Sequence, residues 1–313
     1  MALPLEPPLL PQLALSRKQL PEGEEWSYEP KWDGFRAIVF VDGADVHIQS
    51  RNGKPLRRYF PEIELPRGRF VLDGELVILD SEGRQNFDAL QNRLHPAESR
   101  VRMLSVETPA AFAAFDLLAD GSRALLDQPF QKRRERLEKK LGDRLQLTPC
   151  SRDPEKARSW LAGTEGVVAK QLDAPYRPGE RKGMVKVKRV RTIDCVVAGW
   201  RPGKEQGTVG SLILGLYDGD QLRVVGHTSG FKAGEKRELR RKLKPYESGG
   251  RGSGDPSRWS AGRDLEWVEL RPELVVEISF DHVSAGRIRH GAKLERWRDD
   301  KPPRDCRIDQ LQS

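Results

Sequence analysis

The sequence predicts an α+β chain of two domains: antiparallel sheets with flanking helices over 1–190, then a small five-stranded β-barrel over 191–313. Three observations carry this. The 313-residue length suits two cores at roughly 150 residues each. Hairpin and helix patterns interleave as far as Arg191. Beyond it, short β-branched runs recur at regular spacing with one helical stretch among them.

Leu3–Pro21 is proline-rich with few periodic apolar positions, which predicts an extended arm laid on the first domain. Ala37–Gln49 alternates around Asp42-Gly43, the pattern of a β-hairpin. Arg69–Leu79 reads as a strand interrupted by Asp73-Gly74-Glu75, where the glycine marks a close backbone approach or a bulge. Asn86 can cap a short helix through Leu94, Asp127 and Pro129 open a charged amphipathic helix that Gly142 closes, and a third helix covers Asp153–Leu161. After Arg191 come strands at Cys195–Trp200, Ser211–Tyr217, Leu222–Gly226 and Leu274–Phe280, with a helix at Lys232–Leu243. A single helix between the third and fourth strands is the order of an OB barrel, although another small barrel fits the same spacing. Ser248–Gly262, rich in Gly, Ser and Arg, reads as a mobile loop.

Composition excludes several classes. With 37% hydrophobic and 33% charged residues and a mean hydropathy of −0.66, the chain has no apolar run long enough to span a bilayer. Its N-terminus lacks the basic start and cleavage site of a signal peptide, so the expected compartment is the cytoplasm. Cys150, Cys195 and Cys306 are isolated, and the five histidines show no ligand spacing, which argues against disulfides and a zinc site. Lys and Arg total 55 against 47 Asp and Glu, a net charge of +8 that favours a polyanionic partner or serves only solubility. The basic residues crowd at Arg177–Arg191 and again at Lys232–Lys244.

Lys31 lies in Glu29-Pro30-Lys31-Trp32-Asp33-Gly34-Phe35-Arg36, between an acid, aromatic rings, an Asp-Gly turn and an arginine. An amine attacks phosphorus only when neutral, and desolvation or nearby cations lower its pKa. Trp32 and Phe35 are candidates to exclude water, and Arg36, Lys186 and Lys188 to supply the field. The same cations would stabilise charge building on a phosphate.

Lys31-Trp32-Asp33-Gly34-Phe35-Arg36, Ser50-Arg51-Asn52-Gly53, Leu72-Asp73-Gly74-Glu75, Phe115-Asp116-Leu117-Leu118, Glu165-Gly166-Val167-Val168-Ala169-Lys170 and Lys186-Val187-Lys188 stand in that order. The series resembles the motifs of covalent nucleotidyltransferases, and among them the ATP-dependent DNA ligases of the small accessory bacterial class. That class includes stand-alone C-type enzymes and the ligase module of the bacterial end-joining ligase. The resemblance runs from Tyr28 to about Lys301 and implies a nucleotidyltransferase (adenylation) domain followed by an OB-fold domain.

Carried over position by position, the resemblance implies that Lys31 attacks the α-phosphate of ATP and becomes covalently adenylylated. Arg36 and Glu75 would hold the ribose, Phe115 would stack on adenine, and Glu29 would read the exocyclic amine. Lys186 and Lys188 would grip the α-phosphate, Arg51 the 5′-phosphate of a nick, and Glu165 a divalent metal, Mg2+ or Mn2+. Arg289 and Arg298 match the segment that meets the departing pyrophosphate, but Gly291-Ala292 depart from the usual pattern there, and a solvated arginine face fits the cluster as well. Simpler readings stand beside these: Phe115 as plain core, Glu75 as an edge charge, Arg51 as turn punctuation, and Lys186 and Lys188 as a solvated strand face. The function implied is a monomeric DNA ligase sealing 3′-hydroxyl/5′-phosphate nicks in double-stranded DNA, in repair, its grip on DNA supplied by the two domains. A non-enzymatic OB-type nucleic-acid binder explains the charge but not the ordered motifs.

Overall fold

A computed structural model describes residues 3–252, 266–281, 283–284, 286–288 and 292–312. The chain splits into two compact units, Met1–Arg189 and Val190–Ser313.

The first unit contains β1 (Leu15–Arg17), β2 (Trp26–Pro30), β3 (Phe35–Gly43), β4 (Asp45–Ser50), β5 (Gly68–Val77), α1 (Phe87–Asn92), α2 (Glu98–Glu107), β6 (Ala111–Asp120), β7 (Arg123–Ala124), α3 (Phe130–Leu141), α4 (Pro154–Gly163), β8 (Gly166–Gln171) and β9 (Met184–Lys188). One sheet runs β4-β3-β5-β6-β7, all antiparallel; the other runs β1-β9-β8-β2, where only β1 lies parallel to its neighbour. The expected hairpin is β3–β4, turning at Gly43 with φ 69°, a conformation that glycine adopts without a Cβ clash.

β5 is continuous rather than interrupted. A Cβ on Gly74 would sit 2.4 Å from the Phe112 ring and 2.6 Å from the Ala113 carbonyl oxygen, and the register against β6 slips between Asp73 and Gly74. Close approach and bulge therefore both occur inside an unbroken strand. The Asn86 side chain accepts from Ala89 N (3.0 Å) at the start of α1, and Asp153 caps α4 ahead of Pro154. α2 was not expected: Met103 and Val106 are exposed and Val101 is buried, so its apolar residues form no single stripe.

Hydrophobic burial holds these layers together. Ala37, Val39, Leu72, Leu76, Phe112, Ala114 and Leu117 form a core between the five-stranded sheet and α3, which adds Leu137 and Leu141. The arm is stitched on by Gln49, which exchanges bonds with the Leu9 backbone (3.0 and 2.8 Å), and by Leu13 N donating to Glu180 O (2.8 Å).

The second unit contains β10 (Arg191–Pro202), β11 (Val209–Asp218), β12 (Gln221–Ser229), α5 (Ala233–Leu243), β13 (Glu247–Gly252), β14 (Trp267–Leu270), β15 (Val275–Phe280), β16 (Val283–Ser284), β17 (Arg287–Ile288) and β18 (Lys293–Trp297). The long β10 pairs with β11 along one edge and is shared along the other, Arg191–Val196 against β15 and Gly199–Trp200 against β14. One strand serving two partners curls the sheet, and α5, between the third and fourth strands, buries Leu239 and Leu243 in the same core as Val196, Leu214 and Ile278. This is the expected OB arrangement. The expected loop from Ser248 is corrected at its start, since Glu247–Gly252 is a strand; 253–262 and Arg289 lie outside the described residues.

Candidate active site

β2, β3, β5, β6, β8 and β9 deliver their motif residues to one cavity of about 240 Å³ in the first unit. Its walls include Glu29, Lys31, Trp32, Arg36, Arg51, Glu75, Phe115, Lys170 and Lys186, with Pro11–Ala14 of the arm. Lys31 leaves β2 with its N–H bonded to Gly166 O (2.9 Å), which fixes it against the neighbouring strand. Its side chain is 20% exposed, and Nζ donates to Glu165 Oε2 and to Trp32 O (3.3 Å). Glu165 lies 3.7 Å from Lys188 Nζ, so Glu165 and Lys188 join the site through Lys31. Lys186 and Lys188 share a face of β9. Burial, with Lys31, Lys188 and Arg51 nearby, lowers the Lys186 pKa.

Arg36 is fixed by Asp73, whose fully buried carboxylate accepts from Nε and Nη2 at 2.6 Å each. Tyr176 OH donates to the same carboxylate (2.6 Å) and accepts from Gln12 N (2.9 Å), which ties the arm to the cavity wall. The Arg36 guanidinium lies over the Phe115 ring at 4.5 Å, with Lys170 Nζ 4.4 Å from the same centroid. Phe115 is 6% exposed, belongs to none of the hydrophobic clusters of the described residues, and lines the cavity. Glu75 pairs across from Arg36; burial lifts its carboxyl to about 7 against the pull of Arg36 and Lys31.

Glu29 is 3% exposed, with Lys170 Nζ 2.7 Å and Arg134 Nη1 3.8 Å from its oxygens, and burial still raises its pKa against both cations. Its Oε1 has no hydrogen-bond partner among the described residues. An orphaned buried carboxylate oxygen on a cavity wall is an acceptor waiting for a donor, as an adenine amine would be. Together with the ring of Phe115 and the cations Arg36, Lys31, Arg51 and Lys186, the donor set fits a nucleotide with its phosphates. Among the described residues no three His, Cys, Asp or Glu side chains gather as a metal cage, so a cation here would lean on one carboxylate and on phosphate oxygens.

One expectation needs correction. Phe35 does not shield Lys31; it packs edge-on against Phe60 and Phe87 in the core, while Trp32 stays at the cavity with Nε1 donating to Thr148 Oγ1 (2.9 Å). Beside the expected cations, Glu165 also touches the Lys31 amine. Arg298, in the second unit, is engaged by Asp194 (3.1 and 3.2 Å) and Asp300 (2.8 and 2.9 Å). The sequence reading placed Asp73 and Lys170 in its motifs without giving them a role, and did not single out Tyr176 or Arg134. Arg134 had a signal: Phe130, Arg134, Leu137 and Leu141 share the helical spacing of a buried stripe.

Comparison with known proteins adds the family. The pattern described as "ATP dependent DNA ligase domain" matches residues 11–188, and "ATP dependent DNA ligase C terminal region" matches residues 205–301. The chain is 46% identical to DNA ligase C1 of Mycolicibacterium smegmatis, over 99% of this chain and 96% of that one. It is 43% identical to DNA ligase C of Mycobacterium tuberculosis, over 100% of this chain and 96% of that one. Among solved structures, a mycobacterial DNA ligase D complexed with ATP and MES superposes with a TM-score of 0.53 at 31% identity, covering 95% of this chain and 97% of that one.

Proposed function

The chain belongs to the ATP-dependent DNA ligase family, and from that premise we propose that Lys31 is the residue that carries AMP. Its activity is to seal a 3′-hydroxyl to a 5′-phosphate at a nick through a covalent lysyl-AMP, a chemistry that serves DNA repair. The observation that carries the assignment is the placement of Lys31 Nζ beside Glu165 on a cavity whose buried Glu29 oxygen has no hydrogen-bond partner among the described residues.

In the first step the neutral Lys31 amine attacks the α-phosphorus; the P–N bond forms, the bond to pyrophosphate breaks, and the amine sheds a proton. Glu165, in contact with Nζ, orients the amine toward the α-phosphorus, and the proton passes to solvent. Glu29 accepts from the adenine amine, Phe115 stacks on the base, and Arg36 and Glu75 face the ribose. Lys186 and Lys188 hold the α-phosphate as charge builds on it. AMP then passes to the 5′-phosphate of the nick, gripped by Arg51, and the 3′-hydroxyl displaces AMP. A hard divalent cation, Mg2+ or Mn2+, would sit on Glu165 and phosphate oxygens and polarise the phosphate. All three steps are in-line displacements at phosphorus, so one electrostatic pocket serves them.

No helix of the described residues is long and apolar enough to cross a membrane. In this reading the enzyme works as a cytoplasmic monomer on nicked duplex. Incubation with α-labelled ATP and Mg2+ should leave acid-resistant label on the wild type and none on Lys31→Ala. An unlabelled wild type refutes the assignment, labelling from GTP in place of ATP points to a guanylyltransferase, and joining confined to RNA ends points to an RNA ligase.

A further inference from the structure

Many basic side chains of the second unit carry their own acid. Arg223 pairs with Asp218 at 2.9 Å, Lys293 with Glu295 at 3.2 Å, Arg304 with Asp220 at 3.1 Å and Lys301 with Asp194 at 2.8 Å. Helix α5 and the turn that follows it depart from this rule. Arg237, Arg241 and Lys244 are exposed, and their side chains make no ion pair, hydrogen bond or ring contact among the described residues.

Their spacing puts them on one stripe. At 100° per residue, positions 237, 241 and 244 fall within an arc of about 60°, opposite the buried Leu239 and Leu243. Two neighbouring cations are engaged elsewhere: Arg240 lies 4.7 Å over the Trp200 ring and 2.8 Å from Glu247, and Lys242 lies 3.8 Å over the Trp297 ring; Lys236 sits off the stripe, about 100° from Arg237. Acids do not balance the stripe. Glu235 turns back to accept from Lys232 N (2.7 Å) at the helix start, and Glu238, on the flank, pairs with none of the three among the described residues. Like charges one turn apart cost a helix stability, and a face built only for solubility would intersperse acids.

We propose that this stripe is a contact surface for the sugar-phosphate backbone of the duplex flanking the nick. The three cations span about 10 Å along the helix axis, the reach of roughly three successive phosphates of one strand. Exposed Arg and Lys without an acid partner have no ion pair to give up, and each phosphate they neutralise releases its condensed counterion. The proposal rests on the ligase reading and adds to it where, outside the nucleotide cavity, the protein grips its substrate.

The test measures equilibrium binding of the full chain to a fluorescent, 5′-phosphorylated nicked duplex across a salt series. The variant Arg237→Gln/Arg241→Gln/Lys244→Gln should bind more weakly, with the slope of log K against log salt reduced by about two to three. Its self-adenylylation by ATP should match the wild type. Arg237→Lys/Arg241→Lys/Lys244→Arg should restore the slope. Arg223→Gln/Lys293→Gln/Arg304→Gln, an equal loss of charge at paired positions, should change it much less. If the wild type joins nicks and the first variant keeps its affinity and slope, or if the paired-site variant loses as much, the inference falls and the ligase reading stands. If the wild type neither labels nor joins, both fall.

Discussion

Asp73→Asn isolates the support on which Arg36 depends. The carboxylate is fully buried and receives three hydrogen bonds at 2.6 Å, two from Arg36 and one from Tyr176 OH. Asparagine keeps one acceptor oxygen and turns an NH2 group toward a donor, leaving the Arg36 charge without its counter-charge. Removing one partner of a buried ion pair costs about 3–5 kcal/mol. The Arg36 side chain is 23% exposed, so water recovers part of this and the lower end, about 3 kcal/mol, applies. For a unit spanning Met1–Arg189, with about 2–4 °C per kcal/mol, that is a fall in melting temperature on the order of 10 °C. Tyr176→Phe removes one donor from Asp73 and the acceptor of Gln12 N, worth about 1–2 kcal/mol. Because both changes act on one carboxylate, the double variant should be non-additive by at least about 0.5 kcal/mol. Urea unfolding at pH 7 measures all three, and ATP self-labelling reads whether Arg36 is still placed. An Asp73→Asn protein within 1 kcal/mol of wild type by the reasoning of about 3 kcal/mol would refute the account.

Three further outcomes follow from the cavity. Burial raises Glu75 to about 7, so the native state keeps a proton that the unfolded chain releases near 4.5; this contribution is fully present below about 4.5 and is lost as pH rises through about 7. Glu75→Gln should flatten that fall in urea titrations over the same window, and an unchanged slope would refute the assignment. Glu29→Gln should raise labelling from GTP relative to ATP by about 10–100-fold, the worth of a hydrogen bond to a charged acceptor, and a constant ratio removes Glu29 from base selection. Lys186→Ala should slow self-labelling by about 10²–10³ at nearly unchanged stability; a rate close to wild type would return Lys186 to a solvated strand face.

Much of this was legible because it is written in local chemistry. Asn86 and Asp153 cap their helices, Gly43 turns its hairpin, and β-branched runs make the barrel strands, so each element carries its own signal. α2 carries none: its apolar residues do not line up, and its cap is Ala97. The motif residues could be named in order, but what each touches depends on pairings between distant strands. Glu165 reaches Lys31 because Gly166 O accepts from Lys31 N, and Tyr176 reaches Asp73 across more than a hundred residues of chain. Phe35 misled for the same reason: sequence adjacency to Lys31 suggested a water shield, whereas alternation along β3 sends its ring to the core.

The polar groups of the cavity are held at a cost that a nucleotide would offset. Glu29 keeps an oxygen without a donor among the described residues, Glu75 is driven toward its neutral form, and Lys186 is disfavoured as a cation by burial and its neighbours. A base amine, ribose hydroxyls and phosphates would supply these groups with partners in turn, so binding energy and native stability should be linked. In Lys31→Ala, which cannot trap AMP covalently, ATP at 100-fold over its Kd should stabilise the protein by about 2.7 kcal/mol. Adding Lys186→Ala should shrink that gain by weakening the affinity, while Arg237→Gln/Arg241→Gln/Lys244→Gln on the Lys31→Ala background should leave it intact, since the contact proposed for the α5 stripe is with DNA and not with the nucleotide. A thermal-shift titration decides it. Absence of any ATP-dependent shift in Lys31→Ala would mean that these groups are not poised for a nucleotide.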